Sequence, residues 1–224
     1  MTTNINAGNP LPKKLSPFSL LNPSKLKVLL SLGFKGYLAD KGWFKAFQTK
    51  SSIDENGQAI PWVTYSFIDF IRERLHKTHD IFEYGSGNST VFYAKNSGSV
   101  YAVEHDEQWY QKNAAHNLPN VEMVYRGLDA EGAYVKAALE AGTKFHIIIV
   151  DGRKRVDCCK ESIHALTDDG VIVLDDSERP KYAEAVSFLL AQGFKHIPFS
   201  GIAPGVIISK VTSVFYRDKN CLGI

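Results

Sequence analysis

The sequence predicts an α/β fold: a doubly wound, mostly parallel seven-stranded sheet with a C-terminal antiparallel hairpin, preceded by a helical N-terminal extension. Three observations predict it. From Asp80 onward, short apolar runs alternate with amphipathic stretches, as they do where parallel strands are joined by right-handed helical crossovers. Residues 81 to 90 read Ile-Phe-Glu-Tyr-Gly-Ser-Gly-Asn-Ser-Thr, and a second acid, Glu104, closes the next apolar run. An apolar run, a glycine-rich turn and a later acid suit a nucleoside-bearing ligand held at the carboxyl ends of two parallel strands. Two strand-like runs, 194–199 and 206–215, are joined by Ser200-Gly201-Ile202-Ala203-Pro204-Gly205, which reads as a hairpin.

The elements follow in order. Residues 1 to 24 scatter Asn, Pro and Ser and form an irregular lead; a helix over 24–32 is ended by Gly33. Residues 51–57 are polar and turn-like. Pro61 stands where a helix begins, and Phe67, Ile68, Phe70, Ile71 and Leu75 recur at helical spacing over 62–75. Strands are expected at 81–84, 99–104, 121–125, 145–150 and 171–174, with helices near 89–96, 107–117, 130–141 and 156–166 between them. A further helix opens at Pro180 and ends before Gly193. The domain expectation is a basic extension over 1–58 and one ligand-binding domain over 59–224.

Composition excludes several classes. A chain of 224 residues is one domain with an appendage. No run of about eighteen apolar residues predicts a membrane span, and the polar N-terminus lacks the layout of a secretory signal. Cys158, Cys159 and Cys221 form neither a disulfide framework nor a metal-ligand spacing, so buried inert thiols and a cytoplasmic location are the expectation. The net charge of +2 speaks against a nucleic-acid partner. The charge is uneven: residues 1–50 hold eight lysines and one acid, Asp40, leaving −5 on the remainder. The arm mixes Leu26, Val28, Leu29, Leu30 and Phe34 with Lys25, Lys27 and Lys35. It is either a solvated helix packed on the domain or a surface for an acidic substrate, a partner or peripheral membrane contact. Oligomeric state is not specified.

The glycine loop has mechanical reasons. Gly85 can take a backbone angle closed to other residues, Gly87 lets a ligand approach the main chain, and Asn88, Ser89 and Thr90 supply helix-start oxygens. A negative ligand group is favoured at the helix start that follows. The nicotinamide fingerprint G-x-G-x-x-G is left incomplete, because Thr90 takes its last place and its branched side chain would crowd helix–strand packing. The series Glu-Tyr-Gly-Ser-Gly-Asn-Ser-Thr, Val-Glu-His-Asp, Ile-Ile-Ile-Val-Asp-Gly-Arg and Gly-Val-Ile-Val-Leu-Asp-Asp resembles the ordered motifs of class I S-adenosylmethionine-dependent methyltransferases, over about residues 60 to 215. Ser89 departs from that pattern, where many members carry a third glycine. The resemblance implies a Rossmann-like methyltransferase fold and S-adenosyl-L-methionine as cofactor. It implies that Glu104 accepts the ribose hydroxyls, that Glu83 helps hold the amino end of the methionine moiety, and that His105 neighbours the adenine. It places Gly85, Ser86, Gly87, Asn88, Ser89 and Asp151 around the cofactor, and Gly127-Leu128-Asp129 where the adenine is closed over.

Candidate chemistry lies at the later strand ends. Asp151 ends the most apolar run, Ile147-Ile148-Ile149-Val150, and a carboxylate there must be paired if buried. Gly152 permits a sharp turn, and Arg153 either clamps an anionic substrate group or pairs with Asp151. Asp175 and Asp176 end the next strand, so three carboxylates can converge. Oxygen ligands suit a divalent cation such as Mg²⁺, and the placement is similar to that of metal-dependent catechol-type O-methyltransferases, which carry Asn where Asp176 stands. Alternatively one aspartate is a general base that the others organise, and without a metal they raise one another's pKa values. Trp62, Tyr65 and Tyr182 are candidates to line the acceptor pocket. The leading expectation is O-methylation of a small molecule or glycan hydroxyl. The alternatives are a nicotinamide-dependent oxidoreductase, an aminopropyl transferase, and a cofactor-binding domain that docks a partner without catalysis.

Overall fold

The computed structural model describes Phe18, residues 21–128 and residues 132–224, and it divides between Asp40 and Lys41 into two units. In the first, Asn22 caps helix α1 (Pro23–Ser31) by accepting from the Ser24 and Lys25 amides, and α2 (Tyr37–Asp40) follows. No residue of α1 or α2 is buried; Val28, Leu30 and Phe34 are exposed.

The second unit begins at Lys41, eighteen residues before the expected boundary. Residues 41–58 belong to it because α3 (Trp43–Thr49) buries Trp43 and Ala46. The Trp43 indole N–H donates to the Val206 carbonyl at 3.0 Å. Helix α4 (Tyr65–Arg72) starts later than its apolar spacing predicts. Thr64 is held extended, its amide donating to Thr212 Oγ1 and its own hydroxyl to the Phe199 carbonyl.

The sheet contains β1 (Asp80–Tyr84), β2 (Ser99–Glu104), β3 (Val121–Tyr125), β4 (Phe145–Val150), β5 (Leu166–Asp175), β6 (Lys195–Gly201) and β7 (Lys210–Tyr216). Their order is 3-2-1-4-5-7-6. The first five are parallel; β7 runs antiparallel between β5 and β6. Between them the chain forms α5 (Asn88–Asn96), α6 (Glu107–Ala114), α7 (Ala133–Glu140), α8 (Arg155–Ser162) and α9 (Ala183–Ala191). A single 3₁₀ turn at Pro180–Tyr182 absorbs the start predicted for the last helix. Strand β5 is longer than its apolar stretch because Leu166 already pairs with Phe145, before a register shift. Central strands β1, β4 and β5 bury Ile81, Phe82, Ile147, Ile148, Ile172 and Leu174 between the helical layers. Such side chains contribute about 1.5–3 kcal/mol each on burial.

Strand order reverses between β1 and β4, the topological switch point where open α/β sheets place ligands. The chain is tight there. A Cβ on Gly152 would lie 2.0 Å from the Tyr134 hydroxyl and 3.0 Å from the Tyr84 carbonyl. That residue is glycine for want of room, rather than for the turn freedom its place after a strand suggests. Cys158 and Cys159 are buried on α8, and burial pushes the thiols of Cys159 and Cys221 up to about 12. They are therefore unreactive at neutral pH.

The place of residues 41–58 is testable at Gly205. It has φ +66°, and a Cβ there would lie 2.8 Å from the Phe47 amide nitrogen. Gly205→Ala is expected to lower stability by about 1–3 kcal/mol in urea unfolding. A loss below about 0.5 kcal/mol would show that α3 is not tightly seated on this loop.

Candidate functional site

The carboxyl ends of β1, β2 and β4 enclose a cavity of about 650 Å³, walled by Glu83, Gly85, Ser86, Glu104, Trp109 and Asp151 among others. Gly85 turns the chain at φ +103° directly after β1, a conformation only glycine takes freely. Glu104 ends β2 nearly sealed from solvent, yet its carboxylate is well supplied with donors. Oε1 accepts from the His105 and Asp106 amides at 2.8 and 3.0 Å, and Oε2 from the Ser86 hydroxyl at 2.9 Å. His105 Nδ1 lies 2.8 Å from Oε1.

Glu83, fully inside β1, is provided for differently. Thr90 Oγ1 donates to Glu83 Oε2 at 2.6 Å and accepts from the Gly87 amide at 3.1 Å. Thr90 therefore does not crowd the packing of α5. It occupies the third-glycine position of the nicotinamide fingerprint as a polar link between loop and strand. Burial, with some repulsion from Glu104, pushes the Glu83 carboxyl up to about 7 against the hydrogen bonds of Ser89 and Thr90.

Ser89, His105 and Arg153 also line the cavity. Gly87, Asn88 and Leu128 are set apart from its wall. The Asn88 amide donates to Ser51 Oγ and the Ser52 carbonyl. The Leu128 carbonyl accepts from Lys154, and its side chain packs on the core. A Cβ on Gly87 would lie 3.8 Å from the Trp109 ring, and Asp129 lies outside the described residues. Trp109 is a wall residue that sequence reasoning missed. Asp106 caps α6 through the Trp109 amide, and the indole N–H donates to the Ser86 carbonyl at 2.7 Å. The available signal was an aromatic in the first turn after Val-Glu-His-Asp.

A second cleft, about 390 Å³, opens beside the first between β4, β5 and the loop before β7. Trp62, Asp151, Asp176, Glu178, Arg179 and Lys210 line it, and Asp151 belongs to both walls. The three predicted aspartates do converge, but on cations from the chain itself. Arg155 uses all five of its N–H groups. Nε donates to the Gly152 carbonyl, Nη1 to the Asp175 carbonyl and Asp176 Oδ2, and Nη2 to the Asp151 carbonyl and, at 2.8 Å, to Asp151 Oδ1. Lys210 Nζ lies 2.5 Å from Asp175 Oδ2 and 3.0 Å from Asp176 Oδ1. Thr212 donates to Asp175 Oδ1.

This corrects the expected divalent-cation site. Among the described residues no group of three acidic, His or Cys side chains is arranged to hold a metal, and Asp151, Asp175 and Asp176 are instead paired with a guanidinium and an ammonium. It also reassigns the partner of Asp151 from Arg153 to Arg155. Burial alone would depress the Lys210 ammonium; Asp175, Asp151 and Asp176 outweigh it and hold it above the ordinary lysine value. Burial and the adjacent Asp175 raise Asp151 well above the usual carboxylate range, against Arg155 and Lys210. Asp176 sits at φ +56°, the kind of backbone strain that persists where surroundings over-determine it.

Of the predicted acceptor residues, Trp62 lines the second cleft, half-exposed, with its indole N–H bonded to the Pro204 carbonyl at 2.9 Å. Tyr65 and Tyr182 line neither space. Tyr65 is buried at the start of α4. The Tyr182 ring covers Arg155, whose guanidinium carbon is 5.2 Å from its centroid.

No protein-family model and no curated protein sequence matches the chain. Solved structures do. A methyltransferase from Geobacter sulfurreducens superposes with a TM-score of 0.54 at 13% identity, covering 87% of this chain and 96% of that one. The precorrin-6y C5,15-methyltransferase of Geobacter metallireducens gives 0.54 at 17%, covering 75% and 98%. A methyltransferase-like protein from Silicibacter pomeroyi gives 0.53 at 22%, covering 71% and 90%. The chain therefore has the Rossmann-like methyltransferase fold, with its seven-stranded sheet and C-terminal antiparallel pair. No helix among the described residues is long and apolar enough to cross a membrane.

Two measurements test this site. Glu83 has its folded-state pKa raised from 4.5 to about 7, so the folded state resists losing that proton and stability falls as pH rises across that window. Glu83→Gln removes the burden and keeps the Thr90 bond. The variant is expected to be about 1–3 kcal/mol more stable than wild type at pH 8 and equal to it near pH 4. A pH-independent difference would refute the buried carboxylate's role. Calorimetric titration with Mg²⁺ or Mn²⁺ is expected to show no site tighter than about 1 mM. A tighter site abolished by Asp176→Asn would reinstate the metal.

Proposed function

We propose that the chain is an S-adenosylmethionine-dependent methyltransferase that methylates a hydroxyl of a small molecule or glycan. The observation that carries this reading is the position of Asp151, a carboxylate common to the walls of two adjoining cavities. One is walled for a nucleoside-bearing cofactor, and the other is open to an acceptor.

The residues of the larger cavity fit the cofactor. Glu104 is fixed by three donors and, as a carboxylate with about four lone-pair sites, has one acceptor site left, on Oε2, for a ribose hydroxyl. Glu83 is a buried acid short of positive partners, with its carboxyl raised to about 7; an ammonium group beside it would restore the ionised form. His105 and Trp109 supply flat surfaces on the side beyond Glu104. A nicotinamide cofactor fits less well, because it carries no ammonium group to meet Glu83.

When bound, S-adenosylmethionine supplies an electrophilic sulfonium methyl group. The chain's part is alignment and proton removal. Arg155 fixes Asp151 Oδ1 at the junction, and the ionised form that this pairing favours takes the acceptor hydroxyl proton as general base. Asp175 and Asp176, held by Lys210 and Arg155, keep those cations in place and thereby orient Asp151. S-adenosylhomocysteine is expected to bind the wild-type chain in calorimetry, and Glu104→Ala to weaken it by about 30-fold, as loss of a charge-assisted hydrogen bond implies. Wild-type protein that binds NAD but not S-adenosylhomocysteine would sink the proposal.

A further inference from the structure

The cleft on the far side of Asp151 carries information about the acceptor. Two of its three cations, Arg155 and Lys210, are fully engaged by the chain's own oxygens. Arg155, which stands behind Asp151 and Asp176, has no N–H left. Lys210 is surrounded by Asp175, Asp176 and the Trp62 carbonyl, to which it donates at 3.3 Å. Arg179, half-exposed at the rim, leans on Asp176 at 3.0 Å and lies 3.9 Å from Glu178. Four carboxylates thus face three cations, and the cleft offers an anionic group little but competition from resident carboxylates.

Besides N–H groups of Arg179 at the rim, what it has to spare are acceptors and an apolar face. Among the described residues Glu178 accepts one hydrogen bond from the chain, from the Val211 amide, and Asp151 accepts one at its side chain, from Arg155. Each carboxylate has about four lone-pair sites. Trp62 is 48% exposed although its indole N–H is satisfied at Pro204, so its exposed surface is ring. Ile208, 72% exposed, extends that apolar side of the cleft. A carboxylate pair beside a bare indole suits a molecule that presents several hydroxyl donors on one side and C–H surface on the other.

We infer that this cleft takes a neutral, polyhydroxylated ring of the glycoside class, bound with its C–H face on Trp62 and its hydroxyls donating to Asp151 and Glu178. Acceptors bearing phosphate or carboxylate are disfavoured. The inference rests on the methyltransferase reading for its consequence, the hydroxyl at Asp151 being the one methylated, and on the cleft alone for its binding chemistry.

The test is saturation-transfer NMR on the full chain with S-adenosylhomocysteine present, using methyl α-glucoside, methyl α-galactoside, methyl α-mannoside and methyl α-rhamnoside against glucose 6-phosphate, glucuronate and catechol. At least one neutral glycoside is expected to receive magnetisation on its ring protons. It should bind about tenfold more tightly than the phosphate or uronate, lose that affinity in Trp62→Ala and regain most of it in Trp62→Phe. Preference for the phosphate, the uronate or catechol, no glycoside signal, or a signal indifferent to Trp62→Ala overturns the inference. Calorimetry with S-adenosylhomocysteine, run separately, reports on the cofactor. Its failure would remove the methyltransferase reading while leaving glycoside binding to be judged by its own result.

Discussion

The site depends on how acidic side chains are made tolerable at the ends of buried strands. A carboxylate taken out of water costs several kcal/mol unless paired and hydrogen-bonded. Here β4 and β5 deliver Asp151, Asp175 and Asp176 to one place. Arg155, projecting from the first turn of α8, meets that demand with its full set of donors, and Lys210 completes it from the start of β7. The antiparallel β7 must lie beside β5 for this to happen, and it does. Topology, the charge cluster and the junction at Asp151 are therefore one constraint seen at three levels.

The same problem is solved twice more on the other half of the sheet, with different outcomes. Glu104 receives two main-chain amides and a serine, which hold its carboxylate in one orientation. Glu83 receives hydroxyls only, Thr90 at 2.6 Å being the closest, and burial lifts its carboxyl to about 7. Neighbouring strands thus carry a carboxylate fixed by three donors and a buried acid held by hydroxyls, the contrast on which the proposed cofactor reading rests.

Much of this was legible in the chain. The five parallel strands ended within a residue of their apolar runs, because a contiguous apolar run sets a strand's length, and Glu104, Asp151 and Asp175 stood at or just past those ends. The acids and glycines of the loop were legible for the same reason, being local to one turn. Arg155 was not. Its neighbour Arg153 was the nearer candidate in sequence, and only the turn into α8, with Lys154 at φ +47°, brings the second arginine rather than the first under Asp151. Lys210 lies about sixty residues from Asp151, and no local pattern announces it. The compact second unit also takes in residues 41–58, which carry a weak helical signal and are held by distant partners, Val206 and Gly205.

By itself the sequence determined the alternation of strands and helices, the loop that turns on Gly85, and the acids at the strand ends, because hydrophobic period, turn chemistry and strand length are properties of contiguous residues. Only the tertiary structure decided what those acids meet. Sheet order places β7 against β5 and β1 against β4, and from that come the cations in place of a metal, Thr90 as a link to Glu83, and Asp151 between two cavities. Charge compensation is a matter of distance in space, and distance in space is what a folded sheet creates between residues far apart along the chain.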